Sequence, residues 1–411
     1  MVHFRPILTG LVAVATLVSA ADDEHEPLRS LGDVLESNRN LRTFDQLIRR
    51  FPDILLQLPS NDGITIIAPS NAAFENIPYT ALNERWDPTE ADTTMPILQY
   101  HILQGVHAIA GLEAGPSYML PSLLRDSTYT NVSSGQNVFV NKQGDGGAVF
   151  VSGMGTRCSL EEADIPFQGG IIQVVDNLLI PPSGLDATSH AFGIPSFLGS
   201  LYAVELMPSL ADRRNITVFA PQDAALAAVG GTLEDLDAEA LARIIGYHVV
   251  PDRVLSSWSL SNGTQLGTLA EDGSGNAVSL TVRQSGNNKY INSAQIVQPD
   301  ILLANGVLHI ISNVLNPEAN SVAPDPEIGT QPAVFPLETV SNAFTSALPC
   351  TVDCPVTTTS AQPTSDASTV STEPTTTSLS TGTSDDAGVA QTANVAGAAL
   401  GVLVFAGIGW L

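Results

Sequence analysis

ITVFAPQDAAL, residues 216–226, and ITIIAPSNAAF, residues 64–74, are nearly the same eleven residues. Their Ala-Pro pairs, Ala68-Pro69 and Ala220-Pro221, lie 152 positions apart. That offset has the size of a domain and far exceeds the period of a solenoid repeat. In each copy a β-branched, apolar run suits a buried strand. Pro69 or Pro221, with no N–H to give a ladder, ends it. Asn71 or Asp223 is then placed to cap the helix that the alanines begin.

Two further segments repeat in the same order. QYHIL (99–103) answers GYHVV (246–250), and ADIPFQGGIIQVVDNLL (163–179) aligns without a gap to PDILLANGVLHIISNVL (299–315). Asp164 matches Asp300 and Gly170 matches Gly306, while Gln173 stands where the second copy has His309. The offset shrinks from 152 through 147 to 136, so the first copy carries extra loop residues. The spacing predicts one module present twice.

Around Tyr100-His101 and Tyr247-His248 an apolar helix face leads into an apolar stretch, which reads as a hydrogen-bonded core histidine rather than a ligand. His107 follows His101 by six, but no carboxylate or third histidine completes a metal set. His309 lies on a strand expected to be covered on both faces. Chemistry that needs its imidazole runs in one copy at most, since the other has Gln173. No cofactor or metal site is expected.

The chain has 411 residues, 42 acidic against 16 basic, for a formal charge of −26. Such a surface repels phosphate backbones and excludes nucleic acid as a partner. At the N-terminus Arg5 precedes an apolar run ending in Val18-Ser19-Ala20, which predicts a signal peptide over 1–20. Residues 395–411 are apolar and uncharged, and behind Ser384-Asp385-Asp386 and a short spacer they form the pattern of a glycosylphosphatidylinositol anchor signal over 387–411. Ser384 is the candidate attachment residue, and a plain tail anchor is the alternative. Residues 355–386 are rich in Ser and Thr, as in an O-glycosylated stalk or a disordered linker.

Residues 318–354 read as a Pro-rich connector in which Leu337, Val340, Phe344 and Leu348 fall near helical spacing, predicting a short helix docked on the preceding domain. Cys350 and Cys354 flank a short loop and Cys158 stands apart, so sequence leaves their pairing open. Sequons at Asn131, Asn215 and Asn262 are candidates for N-glycans, with Asn215 abutting a strand that its sugar would have to clear.

Together FAPQD (219–223), IAPSN (67–71), the two Tyr-His pairs and NGVLHIISNVL (305–315) resemble the fasciclin-type (FAS1) domain, with modules at 29–182 and 186–317. The resemblance implies an α+β fold: per module, a wedge-shaped β-sandwich with helices packed on one side. It also implies binding of cell surfaces, matrix or wall proteins or glycans, homotypic contacts included, without catalysis. Signal, paired modules, stalk and lipid tail in this order look like a fungal cell-surface member of that family, held to the plasma membrane or transferred to the wall. A wall-remodelling hydrolase and a small-ligand carrier are the alternatives. The G-x-S-x-G, H-E-x-x-H and aspartic-protease signatures do not occur, although a carboxylate pair drawn from distant positions leaves no such signature.

Overall fold

The computed structural model describes residues 27–59, 63–83 and 85–349. The signal region, Cys350, Cys354, the stalk, Ser384 and the anchor signal lie outside the described residues.

The first module holds strands β1 (Ile64–Pro69), β2 (Ile102–Gln104), β3 (Ser117–Pro121), β4 (Asn137–Lys142), β5 (Ala148–Val151), β6 (Arg157–Phe167) and β7 (Gly170–Val175). The second holds β8 (Ile216–Pro221), β9 (Val249–Val250), β10 (Gln265–Glu271), β11 (Ala277–Ser285), β12 (Asn288–Ile291), β13 (Ala294–Leu303) and β14 (Gly306–Ile311). Helices α1 (Leu31–Ser37), α2 (Arg42–Arg50), α3 (Asn71–Glu75) and α4 (Ala91–Tyr100) belong to the first module. Helices α5 (Leu185–Ala191), α6 (Pro195–Ala203), α7 (Met207–Asp212), α8 (Asp223–Glu234) and α9 (Ala238–Gly246) belong to the second.

Both seven-stranded sheets have one topology. The order is β2-β1-β7-β6-β5-β4-β3 in the first and, in the same sense, β9-β8-β14-β13-β12-β11-β10 in the second. The repeated apolar strand pairs in parallel with the last strand of its module, Ile64 opposite Gly170 and Ile216 opposite Gly306, and the other pairings are antiparallel. A side chain at Gly170 or Gly306 would overlap the carbonyl oxygen of its partner, which accounts for glycine at both places. A bridge from Leu103 to Ser122 brings the two ends of the first sheet together, so that sheet is nearly closed.

Both faces of each central strand are buried. Ile64, Ile66 and Ala68 pack with the helices, while Ile67 points into a second core inside the curl with Tyr100, Val138, Phe150 and Cys158. Ile216, Val218 and Ala220 do the same in the second module, with Phe219 on the inner side. Hence these strands read as continuous apolar runs rather than alternating ones.

The segment after the second module departs from expectation. Leu337 is exposed, and residues 331–349 form an irregular strap with a single turn of 3-10 helix at Thr345–Ala347. The helical spacing of its apolar residues misled because the strap is held by neighbours rather than by its own ladder. Val340 N–H donates to the Ala227 carbonyl and Gly231 N–H to the Glu338 carbonyl, and Ala343 and Phe344 enter the core under α6 and α8.

Candidate functional site

The motif residues are placed first by what they hold. Asn71 and Asp223 are not the caps of the helices that follow them. Ser70 caps α3, accepting from Ala73 N–H, and Gln222 precedes α8 without a side-chain cap. Each instead reaches across its module to the start of another helix. Asp223 Oδ1 accepts from Ser196 N–H at 2.9 Å, in the first turn of α6. Asn71 Oδ1 accepts from Thr43 N–H at 2.9 Å, in the first turn of α2. Free donors at a helix start need acceptors from somewhere, and here they come from the joint after the central strand. Local spacing could not reveal this, because the partners are 27 and 28 residues away.

His101 and His248 are buried twins. Nδ1 of each donates to the carbonyl four residues earlier, Ile97 at 2.8 Å and Ile244 at 2.9 Å. Nε2 of each accepts a backbone N–H, Leu179 and Leu315, both at 2.9 Å. Burial lowers both imidazoles to about 4. Tyr100 and Tyr247 donate their hydroxyls to the Asn137 and Ser279 carbonyls.

Asp164 and Asp300 occupy left-handed positions, φ 53° and 63°, at a break of register in β6 and β13. Asp300 N–H donates to His309 Nδ1 at 3.1 Å, and His309 Nε2 donates to the Leu255 carbonyl at 2.9 Å. In the first module Gln173 does the same work: its Oε1 accepts from Asp164 N–H at 2.9 Å and its Nε2 faces the His107 carbonyl at 3.4 Å. One amide thus replaces one imidazole with its acceptor and donor intact. His309→Gln is accordingly expected to keep the second module within about 1 kcal/mol of wild type at neutral pH, whereas His309→Ala, which orphans Asp300 N–H, costs about 1–3 kcal/mol more; urea unfolding of the two variants checks this.

Ser257, Asp300 and His309 meet here, but not as a catalytic relay. Ser257 Oγ donates to the Asp300 carboxylate, and both imidazole nitrogens are taken by backbone groups. A serine nucleophile needs the imidazole as its base, and this serine has a carboxylate partner instead. Asp164 is buried enough to raise its carboxyl, yet the hydrogen bonds from Gln173, Ala110 and Ile109 outweigh that and hold it below the usual range. Burial pushes the Cys158 thiol well up, leaving it protonated and inert. Among the described residues no group of three His, Cys, Asp or Glu is placed to hold a metal ion.

The two modules join through the β13–β14 hairpin tip. Its Ala304 carbonyl accepts from Asn131 N–H at 2.8 Å and from Thr130 Oγ1 at 3.0 Å, and the buried Gln136 amide donates to the Leu303 carbonyl at 3.1 Å. Phe139, Leu302 and Val307 make an apolar core across the joint, flanked by Met119, Val151 and Val254. Asn215 and Ser133, members of two different sequons, clasp each other: Asn215 Oδ1 accepts from Ser133 N–H at 2.9 Å and Nδ2 donates to Ser133 Oγ at 2.8 Å. Beside this joint opens a cleft of about 670 Å³, with walls from both modules.

The sequence profile of the family described as "Fasciclin domain" matches residues 39–181 and 193–317. The chain belongs to the fasciclin domain family. A fasciclin-like arabinogalactan protein of Arthroderma benhamiae is 27% identical over 75% of this chain and 71% of its own. One of Cercospora beticola is 28% identical over 72% of this chain and 82% of its own. A solved FAS1 domain pair from the insect cell adhesion molecule fasciclin I is 18% identical, covering 68% of this chain and 98% of that one, with a TM-score of 0.32.

In these fasciclin domains Asn262 is exposed, its Oδ1 accepting from Gln284 N–H, while Asn131 and Asn215 lie half-buried at the joint. Sequence reasoning passed over the residues of the joint and cleft: Gln136, Phe139, Arg157 and Trp258. Trp258 alone carried a signal, an aromatic flanked by serines in a turn. Among the described residues no helix is long and apolar enough to cross a membrane.

Proposed function

We propose that this chain is a non-catalytic adhesion or wall-interaction protein of the cell surface. In this reading its two fasciclin domains are raised on the Ser/Thr-rich stalk and held by the lipid tail beyond it. The paired fasciclin domains carry the reading, in common with relatives named fasciclin-like arabinogalactan proteins. It draws support from the fate of the reactive side chains. Both Tyr-His pairs, both aspartates and His309 are consumed in holding backbone groups, so these motif residues are spent on the fold rather than presented for chemistry. Partners would be wall or matrix glycans and proteins, or a second copy of the chain.

Weak contacts made by many tethered copies gain about 10²–10⁴ in apparent affinity from effective concentration. Beads carrying the full-length chain at high density are therefore expected to cluster or to bind wall fragments, while the same chain free in solution at equal concentration shows little binding. Absence of binding in both formats overturns adhesion, and release of sugars from wall fragments would replace it with the hydrolase.

A further inference from the structure

We propose that the cleft between the two modules is a binding site for an extended acidic oligosaccharide, a chain of sugars bearing carboxylates. This deepens the adhesion reading and rests on it, by naming the ligand class that one face of the molecule would take.

The chemistry of the walls argues for that class. Trp258, on the turn Ser257–Ser259 of the second module, is 60% exposed where such a ring is ordinarily packed away. It lines the cleft opposite Ser117 and Asn141 of the first module. An indole offers a flat apolar face with a polar edge, which suits the C–H face of a pyranose. Around it stand the side-chain amides of Asn141, Asn287, Asn288 and Gln298. None of these is hydrogen-bonded to another described residue, so paired donors and acceptors are available for hydroxyl groups.

The charge is the second argument. In a chain with 42 acidic and 16 basic residues, the cleft reverses the balance, with Arg157 and Lys289 against the single carboxylate of Asp300. Asp300 is already engaged by Ser257, through both oxygens. The Lys289 ammonium donates to the Ser257 and Leu260 carbonyls in the wall of the cleft. Arg157, exposed on β6, has no acceptor among the described residues. A guanidinium with its fork free pairs bidentately with a carboxylate. At about 670 Å³ the cleft is in the size range of ligand sites. Its concave, two-walled form fits a linear chain better than the broad flat patch that a folded partner requires.

The test titrates the full-length chain in detergent with two defined hexasaccharides, an oligogalacturonate and a neutral β-1,3-glucan. The acidic chain is expected to bind at least tenfold tighter, with the difference shrinking between 50 and 500 mM salt (on the order of the screening expected for exposed charges). Trp258→Ala should weaken both by tenfold or more. Arg157→Gln should weaken only the acidic one and abolish the preference. Tyr79→Ala, at a ring 90% exposed and outside the cleft, should change neither. Equal affinity for the two sugars, no binding of either, or full binding by Trp258→Ala overturns the proposal. Bead adhesion is read on the same proteins: adhesion that survives Trp258→Ala while no sugar binds sinks the cleft and leaves the adhesion reading standing. Sugar binding without bead adhesion does the reverse.

Discussion

Removing residues 331–349 is expected to destabilise the second module by at least the 3–5 kcal/mol or so that Phe344→Ala alone should cost. Phe344 is 7% exposed and Ala343 fully buried, both in the core that α6, α8 and β8 share. The contacts are close: a Cβ on Gly199 of α6 would overlap the Phe344 carbonyl, and one on Gly230 of α8 would come within 2.9 Å of Ala343. The strap also makes backbone and side-chain hydrogen bonds to α8, through Ala227, Gly231 and Thr232. The family match ends at 317, so a chain cut there would look complete and yet lack part of its core. Hydrogen exchange checks this region by region: protection of β8 and β14 should fall in the truncated chain, with β1 and β7 unchanged. Equal protection of β8 and β14 would mean that the strap adheres to a module already finished without it.

Acid is the second large effect. His101 and His248 are neutral in the fold down to about 4, while in the unfolded chain a histidine takes its proton near 6.5. Below that pH the unfolded state binds protons that the folded state refuses, so stability is full above about 6.5 and falls until the folded imidazoles also titrate. The interval corresponds to roughly 3 kcal/mol for each histidine, one in each module. Burial lowers His309 as well, opposed by the Asp300 charge, which adds to the slope of the second module. Below about 4 the loss continues, because Asp87, Asp164 and Asp272 are held below their ordinary values by hydrogen bonds and must then be protonated. Urea midpoints should hold from pH 7.5 to about 6.5 and then decline down to about pH 4. His248→Gln, which removes one of the two depressed imidazoles of the second module, should flatten the decline there. A midpoint that holds or rises over that interval would show the imidazoles charged in the fold.

The repeat itself was legible because identical packing demands wrote similar residues twice. ITIIAP and ITVFAP are apolar on both faces since each strand lies between two cores, and Gly170 and Gly306 recur since a side chain there would strike the neighbouring strand. The α+β class came with the resemblance those segments carry, whereas the one parallel pair in each sheet had no signal in the spacing. What sequence hid was partnership at a distance. Asp223 looks like the cap of its own helix and serves another; Gln173 looks like the loss of His309 and is its equivalent; Phe344 looks like a residue of a docked helix and enters the core from an irregular strap. The cleft was the least legible of all. Its residues come from β3 to β6 and from β12 and β13, with Trp258 on a turn, and no spacing links them before the modules meet.

The parallel pairing of each module's first long strand with its last also sets a timetable. Ile216 finds its neighbour at Gly306, 90 residues later, and Ile64 finds Gly170 after 106. Translation at about 5–20 residues per second makes the shorter wait on the order of 5–20 s. Throughout it one of the two edges of an apolar strand lacks its permanent neighbour, the other being taken earlier by β2 or β9, and contacts so remote in sequence form slowly even once the chain is complete. The nascent chain therefore passes through two successive windows in which ITIIAP and then ITVFAP are sticky. Since the two strands are near copies, ITVFAP competes with ITIIAP for the place beside β7 in any chain whose first module has not yet closed. Mispairing between modules, rather than failure of either one, is the hazard this architecture carries from the ribosome.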